Sequence, residues 1–378
     1  MSERKTQEEL EIIKKKFNVS QIYSWSKYHT YKQDPYTYLL KYIKKIKEDR
    51  TDSFYAPSGG LTHQILQDFY EHKITYDQMI EGYESGLLEL NLMGLKYDRS
   101  DEGKNQKIAE KYETCIRHFF KNHIPIKSKV DNERFVTILV KPFLFQGYCD
   151  AIYFEDGFYK IIDWKSATIY KGGKILSESG QLCLYAEALR QLGVPLEKIK
   201  AYWNFLKYVT IESPQANGKT SVRHIERNEI GNKLSSSIKM WMKKAKYNEN
   251  DIDSYLSLVS LTNSIDCLPD DIKSLYKISD CYIEVPLSEE IIDNLKKDIV
   301  ETLIEINKKE LEYLQTNDDN VFYQEVNDQN SYFHTVLGGY SVKYHRPLRE
   351  YLESRAMFKT TGDSKVETEE DFSWLAEL

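Results

Sequence analysis

Between Phe145 and Ala167 the chain reads FQGYCDAIYFEDGFYKIIDWKSA, which sets Asp150 and Asp163 either side of an Asp-Gly pair with Lys165 just beyond. Asp-Gly suits a two-residue hairpin turn, because both central positions take positive φ. With Asp156 and Gly157 as the turn, Glu155 faces Phe158, Ile152 faces Ile161, and Asp150 comes directly opposite Asp163. Opposed side chains have Cβ atoms about 4.5–5.5 Å apart, and like charges there destabilise a sheet. A hard divalent cation such as Mg²⁺ offsets that repulsion, since it takes carboxylate oxygens and keeps several waters. Lys165 shares a strand face with Asp163. There its ammonium can orient or help deprotonate a water, or counter negative charge developing on a phosphate. Ile161, Ile162 and Trp164 flank Asp163, and a charge on so apolar a strand needs a partner. A looser loop would shift the pairing, so the register is itself an expectation.

These residues need a scaffold. From about position 133 the hydrophobic period is two, which predicts strands near 133–141, 143–154 and 158–166. Upstream, helices are expected at 3–17, 33–49, 76–94 and 104–122, the last two linked by the polar DRSDEGKN. The stretch APSGG breaks the chain before LTHQILQDFYEHK, where Leu61, Ile65, Leu66 and Phe69 recur at helical spacing, so His63 is expected in the first turn of a helix. There it would lie near the backbone N–H groups that attract anions. SESGQLCLYAEALRQLG predicts a helix of about 14 residues, stopped by Gly193 and Pro195. A strand at 200–211, the turn PQANG and a strand at 219–226 form an expected hairpin. After 229 the pattern is mainly helical, with a long amphipathic run at 288–315 that begins at the N-cap Ser288. The chain thus divides into an N-terminal helical segment, 1–130, carrying His63; a core, 131–228; a mainly helical C-terminal region, 229–362, packed on it; and an acidic, mobile tail, 363–378.

With 378 residues, 41% of them hydrophobic, the chain can bury a substantial core. Its formal charge of −7 gives no global attraction to phosphates, so such binding needs local basic patches or metal ions. The five cysteines include no C-x-x-C pair and read as buried free thiols. No stretch approaches the roughly 20 apolar residues of a membrane span, and the charged start MSERKTQEELEIIKKKF has no apolar signal core, so no membrane and a cytoplasmic location are expected. ANGKTS contains Gly-Lys-Thr, but Ser213 stands where a phosphate-binding loop needs its first glycine, and Asn217-Gly218 is explained by the turn, so no ATP site is expected.

Four stretches, in order, resemble the PD-(D/E)XK nuclease superfamily in its RecB-type exonuclease branch. THQIL is similar to the upstream histidine motif, GYCDAI to the strand ending in the first aspartate, IIDWKSA to the D-x-K core, and QLCLYAEAL to the Q-x-x-x-Y helix. YSWSKYHTYKQDPYTYLLKYI resembles the N-terminal aromatic segment with its proline, and the likeness is strongest over about 60–210. It implies an α/β fold: a restriction-endonuclease-like core with a mixed central β-sheet flanked by helices, plus helical N-terminal and C-terminal segments. It implies a metal-dependent DNA exonuclease of recombination, repair or processing, bacterial or phage in setting. His63, Asp150 and Asp163 would hold Mg²⁺ or Mn²⁺, with the Trp164 carbonyl a further ligand. Lys165 would support catalysis, and Gln181 and Tyr185, four apart and so on one helix face, would shape the site. Lys171 and Lys174 in YKGGK are candidate DNA contacts, and Glu133 lies on a preceding strand without an assigned role.

The chain departs from the pattern in one respect. Many relatives carry a four-cysteine iron–sulfur cluster, but Asp34 precedes Pro35 where its first cysteine would sit, and 330–350 contains none. No iron–sulfur cluster is expected, and the ends are expected to be held by packing through Tyr332, Phe333 and Tyr344. The implied partners are DNA and a helicase or single-strand-binding protein, with the acidic tail and its Phe372, Trp374 and Leu375 as a candidate docking segment. An endonuclease or flap-type nuclease, or a non-catalytic nucleic-acid or partner-binding protein on the same fold, remain as alternative readings.

Overall fold

The structure is a computed structural model that describes residues 4–98 and 101–361; the expected acidic tail lies outside the described residues. Its centre is one mixed sheet of seven strands: β1 Ile22–Ser24, β2 Asp131–Val140, β3 Phe143–Glu155, β4 Phe158–Lys165, β5 Ile199–Pro214, β6 Thr220–Glu226 and β7 Lys277–Glu284. Helices cover both faces, the α/β arrangement expected from sequence.

The β3–β4 hairpin forms in the expected register. Glu155 pairs with Phe158 and Ile152 with Ile161, and Asp156 and Gly157 both have positive φ, at 53° and 82°. The ladder ends at Ala151–Ile162, one pair short of Asp150 and Asp163. On the same edge of β3, Leu144–Gln146 pair in parallel with β1. β3 therefore changes partner along one edge, and Gly147–Asp150 lie in the gap between β1 and β4. β4 runs parallel to β5, Asp163 beside Trp203 and Lys165 beside Phe205.

Two hydrophobic clusters sandwich the sheet. One joins Phe145, Cys149 and Ile161 to the helices Gly180–Gln191 and Glu289–Thr316; the other joins Ala151, Tyr153, Ile162 and Trp164 to the helices Tyr55–Tyr70, Tyr76–Leu92 and Glu102–Asn122. Cys149 and Ala151 would share a face in a regular strand, yet they join opposite clusters. The pleat breaks at Asp150. Across the β2–β3 ladder, between the pairs Asn132–Ala151 and Arg134–Cys149, Glu133 stands opposite Asp150 with a φ of +46°. Such a φ is uncommon for a glutamate and marks a local distortion of the strand.

Several boundaries differ from the sequence expectation. APSGG does not break the chain: the helix runs from Tyr55 to Tyr70 through it. Pro57 falls in the first turn, where a missing N–H costs no hydrogen bond. His63 accordingly sits in the middle of that helix, not at its start, and the anion-attracting amide argument for it lapses. The expected helix at 33–49 is split by Asp34-Pro35, since Asp34 ends the helix Trp25–Gln33 and caps the turn Pro35–Tyr38, which runs into a π-turn ending at Ile43. The predicted helix after β4 is two helices, Gly173–Glu178 and Gly180–Gln191. The C-terminal half also supplies a strand the hydrophobic pattern concealed, β7, which pairs antiparallel with β5. The long helix Glu289–Thr316 begins as expected, with Ser288 accepting from the Ile291 N–H at 3.1 Å. Among the described residues no helix is long and apolar enough to cross a membrane.

Of the residues expected to hold the ends, Tyr344 packs against the first cluster, but the contact rests more on others. Tyr332 is exposed and Phe333 and Tyr344 only half-buried, whereas His334, Tyr340 and His345 are buried. The Tyr340 hydroxyl donates to the Ile46 carbonyl at 2.7 Å, and Ser341 donates to Asp49.

The turn makes a first expectation testable. Gly157 holds a φ of +82° with open space around it, so Gly157→Ala adds backbone strain but no clash. It should lower stability in urea unfolding by about 1–2 kcal/mol, with the active-site residues left in place.

Candidate active site

The break in β3 gathers the chemistry. Asp150 is mostly buried, and its Oδ2 accepts the backbone N–H of Trp164 at 3.0 Å. On the neighbouring strand Asp163 is buried, and Lys165 places Nζ 2.7 Å from its Oδ2. From the helix Tyr55–Tyr70 comes His63, with Nε2 2.8 Å from the Trp164 carbonyl and Nδ1 3.6 Å from Asp150 Oδ2. A carbonyl only accepts, so Nε2 carries a proton and Nδ1 is the ring nitrogen on the side of Asp150. The Trp164 carbonyl, expected as a metal donor, here serves to orient the histidine.

Glu133 completes the group. Donor atoms of His63, Glu133 and Asp150 all lie within 4.8 Å of one another. Sequence reading left Glu133 without a role; its position opposite Asp150 follows from the β2–β3 register, which no local motif encodes. Asp163, expected among the ligands, is paired to Lys165 in this arrangement and stands beside the His63–Glu133–Asp150 group.

The electrostatics fit a cation. Burial pushes the Asp150 carboxyl up to about 6; His63 and Lys165 oppose the rise, and the nearby Asp163 carboxylate adds to it. Burial also raises Glu133. Two carboxyl groups that are reluctant to ionise, with the His63 ring beside them, are a donor set that a divalent ion would satisfy. Burial disfavours the Lys165 ammonium, but the Asp163 carboxylate, with Asp150 behind it, more than compensates and raises its pKa. Lys165 stays charged at neutral pH and is a poor base. It acts as a fixed positive charge.

Gln181 and Tyr185 brace the stretch of β3 that carries Asp150. The Gln181 amide donates to the Tyr185 hydroxyl at 2.9 Å, and that hydroxyl donates to the Tyr148 carbonyl at 2.8 Å, two residues before Asp150. Tyr185 lies so close to β3 that a Cβ on Gly147 would meet its ring at 2.6 Å, so only glycine fits there. Lys171 and Lys174 are exposed on the segment after β4, with Lys174 Nζ 5.3 Å from the Tyr170 ring centroid.

The family model of the PD-(D/E)XK nuclease superfamily matches residues 22–317, from the first residue of β1 to the end of the long C-terminal helix. No curated protein matches the chain.

The raised Asp150 carboxyl has a signed consequence for the metal-free protein. Its folded value lies above that of an unfolded aspartate, so the folded state holds the extra proton; stability is lost as pH rises from about 4 through 6, and the loss is complete at neutral pH. Asp150→Asn should therefore stabilise the metal-free protein at pH 7.5, by at most about 3 kcal/mol. That gain should fade toward pH 4, and thermal unfolding across this range checks it.

Proposed function

The chain belongs to the PD-(D/E)XK nuclease superfamily, and from that premise we propose that it hydrolyses DNA phosphodiester bonds from an end, as a metal-dependent exonuclease of the RecB-type branch. The observation that carries the reading is the junction of β3 and β4: a donor group of His63, Glu133 and Asp150 stands beside the Asp163–Lys165 ion pair. A divalent ion held there, Mg²⁺ or Mn²⁺ by the carboxylate-rich donor set, supplies electrophilic activation of a phosphate and of a water.

The rest of the chemistry falls to the chain's own residues. The Trp164 carbonyl fixes the tautomer and orientation of His63, and the Trp164 N–H holds one oxygen of Asp150 in place. Asp163 keeps Lys165 charged and aimed into the site, where its ammonium counters the negative charge that gathers on the phosphate oxygens during attack. The charge is preorganised, because the ion pair exists before substrate arrives. Gln181 and Tyr185 secure the stretch of β3 that presents Asp150, and this support is what favours the RecB-type branch. Lys171 and Lys174 are exposed cations placed to meet DNA phosphates, as the net charge of −7 requires binding to be local. Strand separation, where the substrate needs it, is assigned to a helicase or single-strand-binding partner.

The test is cleavage of end-labelled linear and closed circular DNA, single- and double-stranded, with Mg²⁺, Mn²⁺ or chelator. Linear DNA should be degraded only with metal, and circles should survive. Lys165→Ala should lower the rate by on the order of 100-fold or more while leaving metal affinity nearly unchanged. Nicking of circles would replace the exonuclease reading with an endonuclease one, and binding without cleavage under any metal would reject the enzyme.

A further inference from the structure

A second group of metal-binding atoms lies where the N-terminal and C-terminal parts of the chain meet. Asp34, His334 and His345 are each at most 4% exposed, and one donor atom from each lies within 4.8 Å of the others. Asp34 caps the turn Pro35–Tyr38, its Oδ1 accepting from the Tyr36 N–H and its Oδ2 from the Thr37 N–H, both at 3.0 Å. His345 opens the helix Arg346–Thr361: its Nδ1 accepts from the Leu348 N–H at 3.1 Å, and its Nε2 lies 2.7 Å from Asp34 Oδ2. His334 comes from the π-turn Phe333–Leu337 and directs Nδ1 at the same oxygen from 3.8 Å.

An Asp–His hydrogen bond would account for Asp34 and His345. It does not account for His334, whose nitrogen is too far from Asp34 to bond it and yet is turned toward it in the protein interior.

We propose that Asp34, His334 and His345 form a structural zinc site. Imidazole and carboxylate donors bind Zn²⁺ at about 2.0–2.2 Å, which places tetrahedral ligands about 3.3–3.5 Å apart. The two observed separations, 2.7 and 3.8 Å, bracket that spacing. Three protein ligands leave a fourth position for water. Two nitrogen donors favour zinc over Mg²⁺, which prefers an all-oxygen shell, so this site and the carboxylate-rich one in the sheet select different metals. An ion here would clamp residue 34 to residues 334 and 345. Asp34 ends the helix that continues from β1, and β1 pairs with Leu144–Gln146 just ahead of Asp150. Zinc would therefore stiffen the strand beside the active site without entering it.

The experiment compares the full chain with His334→Gln and with a triple variant, His63→Ala, Glu133→Ala and Asp150→Ala, that removes the donors in the sheet. Each protein is stripped with chelator, reloaded with Zn²⁺ or Co²⁺ and desalted; bound metal is then counted, the visible Co²⁺ absorption recorded and Tm measured. Wild type and the triple variant should both retain one zinc and show the intense absorption of tetrahedral Co²⁺, and zinc but not Mg²⁺ should raise their Tm. His334→Gln should lose that equivalent and the Tm response, although it keeps the Asp34–His345 hydrogen bond. The proposal is overturned if the triple variant retains no zinc and no tetrahedral Co²⁺ signal, or if His334→Gln retains as much zinc as wild type. The triple-variant arm decides the matter even where His334→Gln does not fold.

Discussion

The site depends on one electrostatic constraint: Asp150 and Asp163 are brought near each other on adjoining strands, with burial opposing the ionisation of Asp150. Only one of the two has a built-in cation. Lys165 neutralises Asp163 at 2.7 Å, while Asp150 has a backbone N–H, the His63 ring and a second, partly buried carboxyl, Glu133, around it. Among the described residues no lysine or arginine pairs with Asp150 or Glu133 as Lys165 pairs with Asp163. A divalent cation would balance these carboxylates, which would divide the labour between a metal-binding half and a fixed ammonium half.

The surrounding elements make sense as means of sustaining this arrangement. The β3 edge leaves β1 at Gln146 and meets β4 at Ala151, which opens a gap in the sheet at the residues that carry the charge. An open gap exposes backbone groups that a continuous ladder would satisfy, and the Tyr185 hydroxyl takes up one of them, the Tyr148 carbonyl. Gly147 lets the Tyr185 ring come close enough to do so. Opposite the gap, Trp164 packs its ring into the core while its backbone serves both His63 and Asp150. One residue ties helix, strand and carboxylate together, so the site geometry is set by the core.

The parts legible in the sequence were those with local causes. Asp156-Gly157 fixes a turn type, the turn fixes the register, and the register carries the ladder to Ala151–Ile162, one pair short of Asp150 and Asp163. Period-two hydrophobicity likewise revealed the strands of the core hairpin. The parts that were hidden have non-local causes. Glu133 reaches the site only because β2 pairs with β3 at one particular register. β7 lies in a half of the chain dominated by helical periodicity, and its strand state comes from pairing with β5. His63 was misplaced within its helix because Pro57 and two glycines look like a break, although a proline in a first turn is harmless. Asp34 and the histidines His334 and His345 are some 300 residues apart in sequence and share no motif.

The central claim, that a proton on Asp150 and a divalent ion compete for one buried carboxylate, is tested most directly by titration calorimetry. Mn²⁺ is bound in buffers of different ionisation enthalpy, between pH 5.5 and 8, to wild type and Asp150→Asn. The account expects wild type to release a fraction of a proton per ion near pH 6, the release to vanish by pH 8, and the variant to release less than wild type near pH 6. Equal proton release from both proteins at pH 6, or none from wild type, would contradict it.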